Sequence, residues 1–380
     1  MSKELSQFIV DLEQLRRNWQ WLDANTNPYC QTASVVKADG YGHGIAPIAT
    51  SLFEAGCRIF CVARLEEALQ LRSILTQQGS GNDIAEVICF DGLQKEDIEC
   101  YPSYRITPAL KQISEIETAA NYAIMSGVKF PVWIQLDTGM NRLGISEIEL
   151  NSPFQQKLLD NLSRLEVKVV MSHLSSSDTP THEANNKQRN KFEKMSKQIF
   201  SAPLSLSASH GLLISQEFHY DITRPGIALY GYQDNPNTFF NCKPILKWVA
   251  PILQIRNISK GEQIGYGADF TATRSMQVAT IGAGYGDGYR RSLSQFGKVD
   301  VGGHICKLVG RVSMDSLVID ISDVPEAKLM QVSQVCLLGE HYDAKAMAAD
   351  LSTISYEILT NLGSRPERIY KNAKNNNILK

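Results

Sequence analysis

Long apolar runs are missing from this chain: nowhere do its 380 residues approach the roughly 20 uninterrupted apolar positions of a membrane-spanning helix. No membrane association is expected. An excess of one charge is missing too. With 38 basic against 40 acidic side chains the formal net charge is −2, too little for the long-range field on which nucleic-acid or anionic-membrane binding relies. A small-molecule partner is therefore favoured. The opening MSKELSQFIVDLEQL carries charges at Lys3, Glu4, Asp11 and Glu13, leaving no uncharged core for a secretory signal. The eight cysteines, at 30, 57, 61, 89, 100, 242, 306 and 336, include no CxxC and no zinc-like spacing with histidine, so no metal is expected. Free thiols in a reducing cytoplasm fit this usage, and Cys61, inside the apolar run IFCVA, reads as a buried thiol together with Cys57.

What is present is an ordinary globular composition, 43% apolar, in a chain long enough for two domains. From about residue 33 to 224, short β-branched or apolar runs alternate with helical stretches: TASVVK (32–37), RIFCVA (58–63), EVICF (86–90), YRITPA (104–109), FPVWIQLD (130–137), VKVVMSH (167–173), PLSLSAS (203–209) and HYDITR (219–224). Between them LEEALQLRSILTQQ repeats its leucines at helical steps, and ISEIETAANYAIM behaves alike. Eight such βα units in about 200 residues predict a (β/α)8 TIM-like barrel, with an open doubly wound sheet as the structural alternative. After about 240 the texture turns to β runs and glycine turns, VAPILQIRNI, MQVATIGAG, KVDVGGHICKLVG, SLVIDIS and QVCLLG. The expected division is a barrel over 1–238 and a predominantly β C-terminal domain over 239–380, with residues 1–10 a candidate strand of the second domain. AKAMAADLSTISYEILTNLG is that domain's one clear helix candidate, and KNAKNNNILK reads as a frayed polar tail.

One strand ends on a lysine. Ser34-Val35-Val36-Lys37 runs into Ala38-Asp39-Gly40-Tyr41-Gly42-His43-Gly44, and the C-terminal strand ends of a barrel are where catalytic groups gather. A partly buried lysine there has a lowered pKa and can form an imine with a carbonyl cofactor. By itself the segment reads equally well as a surface lysine before a glycine turn. Likewise Arg224-Pro225-Gly226, taken alone, reads as the start of a helix with an arginine on the surface.

The lysine segment is similar, almost letter for letter, to the cofactor-lysine signature of alanine racemases. Further segments resemble that family in its own order: Leu136-Asp137-Thr138-Gly139-Met140-Asn141-Arg142-Leu143-Gly144, Arg224-Pro225-Gly226-Ile227, Gly265-Tyr266-Gly267, Gly284-Tyr285-Gly286-Asp287-Gly288-Tyr289, Gly310-Arg311-Val312-Ser313-Met314-Asp315 and Ser355-Tyr356-Glu357. The resemblance covers essentially the whole chain. It implies interconversion of L- and D-alanine, supplying D-alanine for peptidoglycan, with Lys37 holding pyridoxal 5'-phosphate. It also implies a homodimer with composite sites. Racemisation needs an acid/base group on each face of the α-carbon, and the resemblance makes these Lys37 and, from the neighbouring subunit, Tyr266. A tyrosine with a free pKa of about 10 needs cationic support to act as a base, which His173 and Arg224 are implied to give.

Arg224 is further implied to face the cofactor's ring nitrogen. Barrels repeatedly bind phosphate after strands seven and eight, which suits Ser209, Gly226 and Ile227; Tyr41 and Tyr356 join them by resemblance. Arg142 is implied to contact the cofactor's phenolic oxygen and the substrate carboxylate, with the Met314 backbone completing carboxylate recognition. Tyr285 and Asp315 match gate positions. The chain departs from the family pattern at Gln135, where many relatives have a carbamylated lysine, so activity independent of bicarbonate is expected and a Gln135 to Arg142 hydrogen bond is a natural replacement. Ala208 and Asp39 stand where many relatives have asparagine. The rivals are a serine or broad-specificity racemase, a non-catalytic pyridoxal phosphate carrier and a fold-related decarboxylase. A carrier lacks the Gly265-Tyr266-Gly267 element and the β domain; a decarboxylase needs a different carboxylate orientation and usually a cysteine-containing loop, whereas Met314-Asp315 follows the racemase pattern. A purely structural interaction protein has no use for polar residues at so many strand ends.

Overall fold

The computed structural model describes residues 5–78, 84–199, 201–233, 239–372 and 375–379. Two compact units form, one of Leu15–Gly40 with Ile45–Lys243 and one of Met1–Gln14, Tyr41–Gly44 and Pro244–Lys380. In chain order the strands of the first half are β1 Gln7–Asp11, β2 Gln31–Thr32, β3 Ser34–Val35, β4 Ile59–Val62, β5 Glu86–Cys89, β6 Ile106–Leu110, β7 Phe130–Gln135, β8 Leu165–Met171, β9 Leu204–Ser205 and β10 Ile222–Thr223.

Strands β3 to β9 make one parallel sheet in chain order, and β10 pairs in parallel with β2. Backbone bonds then close the ring. Arg224 N donates to Ser207 O at 2.8 Å on one side of β10, and Ala33 N to Thr223 O at 2.9 Å and Val35 N to Pro225 O at 3.0 Å on the other. Each of the eight apolar runs holds one stave of this barrel. Residues such as Phe60, Val132, Trp133 and Ile134 are fully buried, as expected of parallel strands covered on both faces. Helices Leu65–Thr76 and Ile113–Ser126 occupy the two leucine- and alanine-rich stretches, the second ending on left-handed Gly127.

The second unit contains β11 Leu246–Ile258, β12 Gln263–Ile264, β13 Phe270–Thr271, β14 Met276–Ile281, β15 Lys298–Val301, β16 His304–Lys307, β17 Leu317–Asp320, β18 Gln334–Leu338, β19 Glu367–Asn372 and β20 Asn375–Leu379. Its main sheet runs β16-β15-β18-β11-β1-β19-β20, with β14 joining β11 to β17. β1 lies inside it, antiparallel to β11 and parallel to β19, and brings Phe8 against Trp248 at 5.0 Å between rings. The compact units change over at 243/244, and the second also takes Tyr41–Gly44.

Two expectations need correction. The predicted long helix near the end is two short ones, Ala344–Asp350 and Ser355–Thr360, because the chain turns between them through Ser352 at φ 51°. The polar tail is not wholly frayed either: β20 pairs back on β19, Tyr370 opposite Leu379 and Asn372 opposite Asn375. Among the described residues no helix is long and apolar enough to cross a membrane.

Candidate active site

Lys37 stands two residues beyond β3, where the backbone turns left-handed: φ is 53° at Ala38, 55° at Asp39, 61° at Gly40 and 53° at Tyr41. For residues with a Cβ this conformation costs roughly 1–2 kcal/mol each, so local bonds must offset it. Gly40 N donates to Val36 O at 2.9 Å, Ala38 N to Glu67 Oε1 at 2.7 Å, and Ile45 N to Asp39 Oδ1 at 2.8 Å. Asp39 therefore caps the start of helix Ile45–Ala55. The lysine itself is half-buried, and desolvation with the nearby Arg142 charge holds its amine below the ordinary lysine range. More of it is neutral at physiological pH than for a surface lysine.

Arg224, beyond β10, is only 2% exposed, and its hydrogen-bond acceptors among the described residues are neutral: Ser205 Oγ, Ser172 O at 2.6 Å and Leu206 O at 3.4 Å. Burial lowers its pKa to about 10, which still leaves it charged at neutral pH. His173, at the end of β8, lies among Arg224, Arg142 and Lys37; desolvation and these three charges hold its imidazole at about 3, so it is uncharged. Ser209 Oγ accepts from Gly226 N at 2.9 Å and Ala228 N at 3.2 Å. Its hydroxyl proton is thus left to donate elsewhere. Ile227 opens the short turn Ile227–Tyr230, where the first N–H has no intrahelical partner. Lys37, Arg142, His173, Ser209, Arg224, Gly226 and Ile227 all belong to this barrel unit. Gln135 does not bond Arg142: its Nε2 donates to Leu143 O at 3.1 Å, because the loop returns its backbone, rather than the guanidinium, to the amide. Ala208 forms a β-bridge with Arg224 through its backbone, which needs no particular side chain.

In the second unit Tyr266 is carried on the β12–β13 hairpin and is 72% exposed. Gly265 and Gly267, at φ 78° and 75°, flank it, and a Cβ on Gly267 would come within 3.0 Å of Arg311, whose guanidinium pairs with Asp269. Tyr285 N donates to Ser313 O and Gly286 N to Met314 O, so the loop bearing Tyr285 rests on the segment bearing Met314 and Asp315. The rings of Tyr41 and Tyr356 lie 6.1 Å apart. Tyr41, Tyr266, Tyr285, Met314, Asp315 and Tyr356 all lie in the second unit.

This sequence matches the family model for the alanine racemase N-terminal domain over residues 10–234 and that for the C-terminal domain over 245–370. The chain belongs to the alanine racemase family. It is 40% identical over 363 residues to a catabolic alanine racemase of Agrobacterium fabrum, spanning 95% of this chain and 91% of that one. It is 37% identical over 377 residues to the alanine racemase of Brucella ovis, spanning 95% and 92%. Among solved structures, the alanine racemase of Bartonella henselae with covalently bound pyridoxal phosphate superposes with a TM-score of 0.89 at 34% identity, over 97% of this chain and 100% of that one.

Two residues of this family member escaped the sequence reading. Glu67 binds the left-handed turn after Lys37 through Ala38 N, while its other oxygen takes Ala63 N and Arg64 N at the start of helix Leu65–Thr76. A glutamate in the first turn of a helix is the only local signal. Arg365 bonds Asp287 twice, at 2.8 Å each, and Asp315 at 2.6 Å, joining the loops of Tyr285 and Met314. No spacing in the sequence links it to either aspartate.

Proposed function

We propose that the chain is a pyridoxal-phosphate-dependent alanine racemase of the cytoplasm, working as a homodimer and supplying D-alanine for peptidoglycan. The observation that carries this reading is a half-buried Lys37 at a barrel strand end, its amine shifted below the ordinary lysine range by burial, on the same barrel rim as a buried Arg224 whose hydrogen-bond partners among the described residues are neutral. The donor set suits the cofactor group by group. Lys37 offers an amine for an aldehyde, Ser209 and Ile227 offer O–H and N–H donors for a phosphate, Tyr41 and Tyr356 add hydroxyls, and Arg224 offers N–H to a ring nitrogen. When bound, pyridoxal phosphate supplies an electron sink that acidifies the α-proton of an amino acid.

The residues then divide the work. Lys37 Nζ takes or returns the α-proton on one face, and Tyr266 of the partner subunit does so on the other. Because His173 is neutral, the positive charge that supports a phenolate comes from the neighbouring Arg224. Arg224 cannot accept a proton, so it leaves a facing ring nitrogen unprotonated, which limits electron withdrawal and with it transamination. Arg142 binds the substrate carboxylate with its fork of donors, aided by the Met314 backbone of the partner subunit. Tyr285 and Asp315 restrict access to small side chains.

The test is a circular-dichroism assay of L- and D-alanine, serine and lysine with added cofactor, alongside an absorbance scan of the purified protein. Racemisation of alanine well above the others is expected. Absence of alanine turnover in the presence of cofactor would overturn the reading, and equal turnover of serine would replace it with a broad-specificity racemase.

A further inference from the structure

The ends of β7 and β8 are tied together by one glutamine from a helix. Gln188, in Glu183–Ser196, is 3% exposed. Its Oε1 accepts from Ser175 N and from Ser175 Oγ, both at 2.9 Å, and its Nε2 donates to His173 O at 3.0 Å and to Thr138 Oγ1 at 3.3 Å. A carboxamide has two donors and two acceptor positions, and here all four are used. The bonds continue beyond it. Thr138 Oγ1 lies 2.9 Å from Ser172 Oγ, Ser172 Oγ donates to Leu136 O at 2.8 Å, and Ser172 O accepts from Arg224 Nη2.

The loop after β7 therefore meets the segment after β8 on a single buried side chain. That loop carries Arg142, and the β8 segment carries His173 and, through Ser172, the acceptor of Arg224. Gly139 in the same loop sits at φ 135°, its Cβ direction 3.5 Å from Gln188 Cγ, so the loop backbone lies against the glutamine stem. Among the described residues no hydrogen bond holds the Arg142 guanidinium itself, so its place depends on the loop backbone. Buried, fully satisfied polar networks of this kind rigidify what they join.

We infer that Gln188 is a positioning residue, setting the Arg142 loop and the His173 segment relative to one another and thereby aligning the carboxylate-binding and ring-facing sides of the site. This rests on the racemase reading. A displacement of about 1 Å in a group that orients substrate can cost up to about 100-fold in rate, so the effect should be large for a residue that touches neither substrate nor cofactor.

Gln188→Met keeps the side chain's length and removes all four bonds; Lys187→Met, on the exposed side of the same helix, is the control. Expected for Gln188→Met is an unchanged far-UV spectrum, a fall in kcat/KM for alanine of roughly 10- to 100-fold divided between higher KM and lower kcat, and no change in the control. A second readout needs no catalysis. In the cofactor-free protein with carbon-13-labelled histidine, the His173 ring should titrate above its wild-type value of about 3 in Gln188→Met, because burial, the larger cause, persists while its spacing from Arg224, Arg142 and Lys37 relaxes. Wild-type kinetics together with an unmoved His173 titration would overturn the inference. Should Gln188→Met not fold, Gln188→Asn, shorter by one methylene, is measured in the same way and decides it by the same two outcomes. A wild-type protein that does not racemise alanine would overturn the function, and the His173 titration would still decide the role of Gln188.

Discussion

The two units present their candidate site residues in opposite ways. On the barrel, Arg224, His173 and Ser209 are embedded in hydrogen bonds or in a field of neighbouring charges, and the side chains themselves are held. On the β-rich unit the backbone is held instead: glycines at positive φ, Arg311 and Arg365 pin the loops, while Tyr266, Tyr285 and Met314 stand 72%, 43% and 52% exposed. One unit prepares charges, which must be fixed and desolvated to act. The other prepares positions for aromatic groups whose surroundings are completed, on the reading proposed here, by a second subunit.

The largest effect that could break this contrast comes from its two proton-transfer residues. Lys37→Ala should remove both borohydride-fixable cofactor and activity, whereas Tyr266→Phe should keep the fixable cofactor and lose roughly 10²–10⁴ in kcat. Mass spectrometry of the reduced proteins separates them, and equal loss of cofactor would erase the division. Next is the loop clamp: Arg365→Ala should raise the serine-to-alanine ratio of kcat/KM by about 10-fold, the scale of a methylene-sized change in a pocket. Arg365→Lys should not restore it, since a point charge cannot replace a fork bonded to two aspartates. An unchanged ratio would show that the exposed loops need no pin.

A smaller effect concerns pH. Folded His173 stays unprotonated down to about 3, while the unfolded chain protonates it near 6.5; the unfolded state binds more protons between these values, so stability rises with pH there and is lost as pH falls below 6.5. Urea unfolding of the cofactor-free protein at pH 7 and pH 5.5 should show a loss of about 1 kcal/mol from this residue. His173→Gln should lack that part, and His219, shifted in the same direction, contributes independently. Identical pH dependence in the variant would mean that the barrel does not hold His173 as described. The smallest effect is none: added bicarbonate should leave the rate within about 2-fold, as Gln135 offers no amine to carbamylate and its amide already bonds Leu143 O.

The staves of the barrel were legible because a buried parallel strand needs several consecutive apolar residues, and RIFCVA or FPVWIQLD can satisfy little else. Lys37 was placed at a strand end by the pattern, and only the resemblance chose it over a surface lysine. Tyr41 and Tyr356 came only from resemblance, since half-buried tyrosines are common. Arg365, 78 and 50 positions from its aspartates, and Gln188, 50 from Thr138, were not legible at all. In the lysine-rich stretch NNKQRNKFEK a glutamine reads as solvated surface.

By itself, then, the sequence determined the alternation of strands and helices, the strand-end lysine and the glycine-flanked tyrosine, because these depend on local φ/ψ preferences and on which face a short segment can bury. Only the tertiary structure decided that Arg224 is satisfied by carbonyl and hydroxyl oxygens, that the residues after Lys37 turn left-handed against Glu67, and that Gln188 and Arg365 join distant loops. Such bonds pair groups far apart along the chain, and their partners are set by barrel closure and loop packing rather than by any local pattern.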